Sequence, residues 1–304
     1  MEYIIAIGSA CVDEYYGIDE WIPEGGKASV CKLEPVIGGM IANAASVMAS
    51  MGVKTFLVDS INPAYASSRL IIDDLARYGV DLSQLIYSET AEEGKCMIFL
   101  TKDEKSLFSV RTQKEEIDYS LNPDFYTQAR FIYSQFQDLL RIRNLSAFLE
   151  TMEKSGTGLV LDVEKYTGNP EEKYMLENAE ILFFNQFGAE DYYKASGERS
   201  FDHLLHHKAN VIVVTEGGDG CSVFCRDYSI HIPAYKVAVV DTTGAGDSFN
   251  GTFLSRVCSG ASYKEAAKYA SAAAALCVTQ YGAKSLSLNA TAVDRFINRF
   301  EQGE

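Results

Sequence analysis

No stretch of the 304-residue chain approaches the roughly 18 consecutive apolar residues of a membrane span, which excludes a helical membrane protein. Basic residues are in deficit, with 27 Lys and Arg against 42 Asp and Glu and a formal charge of −15. Such a surface repels polyanions and argues against nucleic acid and anionic membrane as partners. A nucleotide therefore has to be attracted locally, by a helix terminus, a metal ion or a few lysines. Cysteine is sparse and unpatterned: Cys11, Cys31, Cys96, Cys221, Cys225, Cys258 and Cys277 are odd in number, and no C-x-x-C pair occurs. Cys221 and Cys225 fall in a run that reads as a strand, as small buried residues and not ligands. A disulfide framework is excluded, and a reducing compartment fits. The first apolar run, Tyr3–Ile7, is only five residues long, lacks a basic leader and reads as a buried strand, not a signal peptide. We expect a cytoplasmic protein. Two nucleotide fingerprints are also missing. Gly25-Gly26-Lys27-Ala28-Ser29 lacks the spacing of a P-loop, and Gly244-x-Gly246 has Phe249 where a dinucleotide motif needs a third Gly or Ala.

What the chain does have is alternation. Short β-rich runs, apolar on every side, recur at Tyr3–Ile7, Thr55–Val58, Phe131–Ser134, Gly158–Val163, Ile181–Phe184 and Val211–Thr215. Helix-period segments lie between them, and three more close the chain at Ala245–Ser259, Tyr263–Val278 and Thr291–Phe300. Continuously apolar strands separated by helices predict a mostly parallel sheet covered on both faces, an open α/β sandwich. Residues 11–37 and 94–111 break the pattern and read as antiparallel strands, the second a hairpin turning at Lys102-Asp103-Glu104-Lys105. We expect one domain over residues 1–304, with these two stretches forming a small β-sheet over the strand ends. A sheet with one unburied apolar face would serve as a lid, a dimer contact or both.

The most informative segment is Thr242-Thr243-Gly244-Ala245-Gly246-Asp247-Ser248-Phe249, after the β-like run Val237–Val240 and Asp241. Two glycines and an alanine let the backbone turn closely into a small-residue helix. Such a junction aims unpaired N–H groups and the positive end of the helix dipole at one spot, which attracts phosphate. A carboxylate beside that spot suits a base that deprotonates a hydroxyl as phosphoryl transfer begins. The plainer alternative makes Asp247 a helix cap. Asp13, shortly after the first strand, and Asn43, in the helix entered through Gly38-Gly39, are either hydroxyl ligands or ordinary turn and surface residues. Thr215-Glu216-Gly217-Gly218-Asp219-Gly220 either wraps a nucleotide or makes a hairpin turn. His203, His206 and His207 share helical spacing without an acidic or cysteine partner and read as a solvated face.

In this order the pieces resemble the ribokinase-like, phosphofructokinase-B-type family of sugar and nucleoside kinases, from Asp13 to Gly282-Ala283-Lys284-Ser285. Asp241 through Phe249 matches the family's C-terminal signature without a gap; Gly38-Gly39 with Asn43 and Met51-Gly52 matches the N-terminal one more loosely. The resemblance implies a three-layer αβα sandwich with a β lid, ATP and Mg²⁺ as partners of the chemistry, and Asp247 as the base on a sugar hydroxymethyl. It implies an anion hole from the amides of Gly244, Ala245 and Gly246, and sugar contacts from Asp13, Gly38, Gly39 and Asn43. Asn185, Thr215, Gly217, Gly220 and Thr243 fall at its nucleotide positions, and Asp241, Thr243 and Gly282 at a monovalent-cation (K⁺) site.

Three departures concern metal and substrate. Asn185-Gln186-Phe187-Gly188-Ala189-Glu190 carries its acid two residues late, Asp59-Ser60-Ile61-Asn62-Pro63-Ala64 replaces an acidic loop, and Asp162-Val163-Glu164-Lys165 replaces Asp-x-Asn-x-Arg. We expect an ATP-dependent kinase acting on a primary hydroxyl of a sugar of ribose, fructose or ketogluconate type, with a homodimer through the lid. A nucleoside kinase of adenosine or pseudouridine type, with Phe99, Phe108 and Trp21 as a shelf for the base, is the alternative; Arg111 would meet an acidic sugar or solvent. A non-catalytic sugar- or nucleotide-binding sensor is the third reading and a dinucleotide oxidoreductase the fourth.

Overall fold

The computed structural model describes all residues except Met1, Asp103, Glu104, Arg111, Leu286, Gly303 and Glu304. Its centre is an eight-stranded sheet in the spatial order Ser229–Ile232, Cys221–Phe224, Val211–Thr215, Ile181–Asn185, Gly158–Val163, Phe131–Ser134, Tyr3–Ile7, Lys54–Val58. Six of these strands run parallel; the pair at the first edge is antiparallel. Both faces are buried because consecutive residues feed opposite layers. Ile4 and Ala6 pack with Ala44, Met48 and Phe253, whereas Ile5 and Ile7 pack with Phe148, Leu161 and Tyr192. That is the physical reason the strands read as apolar on every side. The chain leaves Tyr3–Ile7 toward one neighbour and later returns to the other, so the strand order reverses beside it, where a crevice opens at the carboxyl ends.

A second sheet stands over this crevice: Cys31–Lys32, Cys11–Gly17, Lys95–Leu100 and Lys105–Ser109 in order, with Val36–Gly38 also on Cys11–Gly17. The expected hairpin is present between Lys95–Leu100 and Lys105–Ser109, although Asp103 and Glu104 of its turn lie outside the described residues. The all-antiparallel expectation is corrected in one place. Cys11–Gly17 pairs parallel with Lys95–Leu100, with Asp13 opposite Cys96, because the two strands enter the sheet from separate crossovers and not from one hairpin. Residues 18–30 contribute no strand.

The β-like run Val237–Val240 also needs correction, for it forms no strand. Pro233 ends the edge strand that precedes it and denies the next residues a ladder position. The segment crosses instead to the C-terminal helices, where Val240 N–H donates to Val278 O at 2.7 Å.

Candidate active site

The helix Ala245–Cys258 starts from Gly244, whose φ of +75° and lack of a Cβ allow the turn; a methyl there would stand 2.0 Å from Ala283 O. Ser248 to Ser255 are buried, so the helix is anchored by its middle and presents its first turn to the crevice. Gly251 lets it press against helix Met40–Ser50, since a Cβ would lie 2.7 Å from Ala44 O. That close crossing brings two side chains 204 residues apart into contact: Asn43 Nδ2 donates to Asp247 Oδ2 at 2.8 Å. Asn43 is buried, and its own Oδ1 has no protein partner among the described residues. Asp247 is not a helix cap; Gly244 holds the cap position and Asp247 accepts from Asn43.

Asp247 shares its surroundings with other acids. Burial pushes its carboxyl up to about 8, the Asn43 bond opposes that, and Asp162, Glu164 and Asp13 add to it by repulsion. Beneath it Asp162, itself raised to about 7 by burial, accepts from Tyr133 Oη at 2.6 Å and Asn250 Nδ2 at 2.8 Å. Tyr133 and Asn250 escaped the sequence reading; Asn250 was findable, three residues after Asp247 on the same helical face. Ala245 N–H donates to Thr242 O at 3.3 Å, while the amides of Gly244, Gly246 and Asp247 meet no protein acceptor among the described residues. Asp241 is different in kind. Despite partial burial, two bonds from Thr243, one from Gly282 N–H and the nearby Lys105 ammonium hold it down at about 2. Lys105, from the small sheet, lies 3.3 Å from Asp241 Oδ1 and also bonds Thr243 Oγ1.

Two cavities meet at the first turn of this helix. One, of about 970 Å³, is lined by Asp13, Gly39, Asn43, Asn185, Thr215, Gly217, Thr243, Gly244, Gly246 and Asp247, and reaches Glu164 and Gln135. The other, of about 480 Å³, is largely apolar, with Gly220, Ala234, Tyr235, Val237, Val239, Ala245, Phe249 and Ala274 in its wall. Thr215, Gly217, Thr242 and Gly246 line both. The Thr215–Gly220 segment is thus both a hairpin turn and a cavity wall. Gly38 gives room to Asp13, whose Oδ2 would be 2.1 Å from a Cβ at that position. Asp13 is buried, and Cys11 Sγ donates to its Oδ1 at 3.3 Å. Burial raises its pKa, against the thiol bonds and the charge of Lys284.

Other expected residues fall outside. Glu190, the displaced acid, is exposed and pairs with Lys194 at 3.2 Å, four residues on; Glu164, not Glu190, lines the cleft near Asn185. Phe99 packs against Tyr16, Trp21 and Phe108 on the sheet's other side and lines neither cavity. The three histidines bond to Glu177 and Asp202 on the surface. Arg111 lies outside the described residues.

Comparison with known proteins bears on the family and the fold. Residues 1–290 match the family model described as pfkB family carbohydrate kinase. The chain is 25% identical to the 5-dehydro-2-deoxygluconokinase of Bacillus subtilis, over 97% of this chain and 95% of that protein. It is equally identical to the nucleoside kinase of Methanocaldococcus jannaschii, over 99% and 98%. Among solved structures, Arabidopsis thaliana ribokinase complexed with ribose and ATP superposes with a TM-score of 0.81 at 24% identity, covering 97% of this chain and 98% of that one.

Proposed function

We propose, for a chain that belongs to the pfkB family of carbohydrate kinases, that it moves the γ-phosphoryl group of ATP to a primary hydroxyl of a sugar or sugar acid held beside Asp247. The carrying observation is the meeting of two cavities, one polar and one apolar, at a helix first turn that has free amides and a carboxylate. The apolar cavity suits an adenine ring, with its phosphates running over Gly217 and Gly220 toward Gly244. The acceptor sits in the polar cavity, where Asp13 accepts from its hydroxyls and Asn43 Oδ1 gains the partner it lacks.

In the reaction the acceptor oxygen bonds to the γ-phosphorus, the bond from that phosphorus to the β-phosphate oxygen breaks, and the hydroxyl proton passes to Asp247. The amides of Gly244 and Gly246 stabilise the moving phosphoryl oxygens; Ala245 adds less, its N–H being already committed to Thr242. An Asp247 that ionises near neutrality is matched to such a proton transfer.

The acids here also fit a hard divalent ion, which prefers oxygen donors. Glu164 stands in the cleft with Asp247, and Asn185 spends its Oδ1 capping the next helix, at 2.7 Å from Gly188 N. Glu164 and Asn185 would hold Mg²⁺ through its waters, and the ion would neutralise charge on the phosphates. Potassium would sit by Asp241, Thr243 and Gly282, where a permanently ionised carboxylate draws a cation that Lys105 already partly supplies.

A sugar is favoured over a nucleoside because Phe99 and Phe108, the aromatic shelf the sequence offers, turn away from the cleft, whereas Gln135, Asp138, Lys114 and Arg141 line it. A coupled ATP assay over sugars, sugar acids and nucleosides tests this: preference for a nucleoside refutes the acceptor class, and no turnover with any favours the sensor. We further infer a homodimer through the small sheet, where Phe108 and the adjoining loop residues Trp21, Ile22, Val30 and Leu33 stand at 43–52% exposure.

A further inference from the structure

The alternation that turns Phe99 and Phe108 outward turns three other side chains inward. Cys11 and Asp13 share a face of one strand, and Cys96, opposite Asp13 on the neighbouring strand, joins them. One ligand atom from each lies within 4.8 Å of the others. Cys11 Sγ is 3.9 Å from Cys96 Sγ and 3.3 Å from Asp13 Oδ1. Nothing in the phosphoryl-transfer reading uses the thiols.

We propose that Cys11, Asp13 and Cys96 form a binding site for a thiophilic divalent cation of the zinc class, at the sugar end of the cleft. The spacing is the argument. A zinc ion with bonds of about 2.3 Å to sulfur and about 2.0 Å to oxygen at tetrahedral angles holds its ligands about 3.8 Å apart for S···S and about 3.5 Å for S···O. The side chains already stand close to both values. A disulfide would need the sulfurs to close to about 2.05 Å, a far larger movement. The site is also held in place: Gly38 leaves room for the Asp13 carboxylate, and Ser109 stands opposite Cys96 on the next strand. Two sulfurs and one carboxylate select zinc or cadmium over magnesium, which wants only oxygen. Three protein ligands leave the fourth position open to the cavity. Binding displaces the thiol protons, so affinity rises with pH.

An ion here occupies Asp13 and excludes the acceptor. That consequence rests on the reading of Asp13 as a sugar partner; the metal site itself does not. The test is therefore calorimetric titration of zinc chloride into the full chain, reduced and free of both sugar and ATP. One ion per chain is expected, with affinity at least about tenfold weaker in Cys96→Ser and unchanged in Cys258→Ser. Cobalt(II) added to the unsubstituted protein provides a readout that needs no variant, a thiolate-to-metal charge-transfer band. The site is refuted if the unsubstituted chain takes up no zinc, if Cys96→Ser binds as tightly, or if cobalt binds without the band. Each failure leaves the kinase reading standing. If zinc binds as described yet leaves the acceptor KM unmoved, the metal site stands and the placement of the sugar at Asp13 falls.

Discussion

Asn43 Nδ2 donates to Asp247 Oδ2 at 2.8 Å, linking the first turns of two helices that press together at Gly251. A donor on a carboxylate favours the ionised form, so Asn43 lowers the pKa that burial and the neighbouring acids raise. The group is active as a base only when ionised. The kcat/KM, which reports the free enzyme, should therefore fall as pH drops below about 8. Removing the donor, in Asn43→Ala, moves the acid limb of the kcat/KM profile to higher pH. Removing an opposing charge, in Asp162→Asn, moves it lower. Profiles that shift together, or not at all, would contradict this electrostatic account.

Asp247→Asn keeps an oxygen for Asn43 but cannot take a proton. We expect turnover to drop by about 10²–10⁴-fold, with ATP binding by calorimetry retained. Stability should move the other way. A carboxyl whose folded pKa is raised above its unfolded 3.8 to about 8 costs stability progressively as pH rises between those values. At pH 7 the variant should therefore melt higher than the unsubstituted enzyme, and the difference should vanish toward pH 4. Near-normal turnover in Asp247→Asn would remove the proposed base.

Much of this is legible in the sequence. Continuous apolar runs placed the six parallel strands within a residue at each end, because burial on both faces favours apolar residues at nearly every position there. The Thr242–Phe249 segment located the helix start because only glycine tolerates the φ of +75° at Gly244. What failed was context. Val237–Val240 has strand propensity, but Pro233 stops the strand before it and the segment crosses to the C-terminal helices, a path that propensity cannot report. Glu190 fell near a family acid in sequence, yet 3.6-residue periodicity carries it to the exposed face of helix Gln186–Ser196, and Glu164 comes to the cleft from another strand end. The Asn43–Asp247 bond and the Cys11–Cys96 contact join residues far apart in the chain. Only the crossing of helices and the register of strands bring them together.

The two glycines of the first turn should separate stability from catalysis. Gly244→Ala places a methyl 2.0 Å from Ala283 O on a backbone that L-residues resist, and should cost at least about 1–3 kcal/mol on thermal melting. Gly246→Ala meets nothing within 4 Å and should fold as well as the parent. Its methyl enters the junction of the two cavities, so ATP KM should rise and kcat fall. Equal loss of stability in both variants would show that Gly246 also has a structural role.

Lys105 lies 3.3 Å from Asp241 Oδ1, and its side chain is 41% exposed, so the pair contributes little to folding. Lys105→Met should leave the melting temperature nearly unchanged. Its effect should appear in the cation requirement, since Asp241 stays ionised at any pH above about 2 and needs a positive neighbour. With the ammonium present, replacing potassium by tetramethylammonium should change turnover by no more than about 2–5-fold, the range of an exposed ion pair. With it gone, potassium takes over the whole task, and the same exchange should cost distinctly more. Identical potassium dependence in the two proteins would mean that Lys105 and the ion act at separate places.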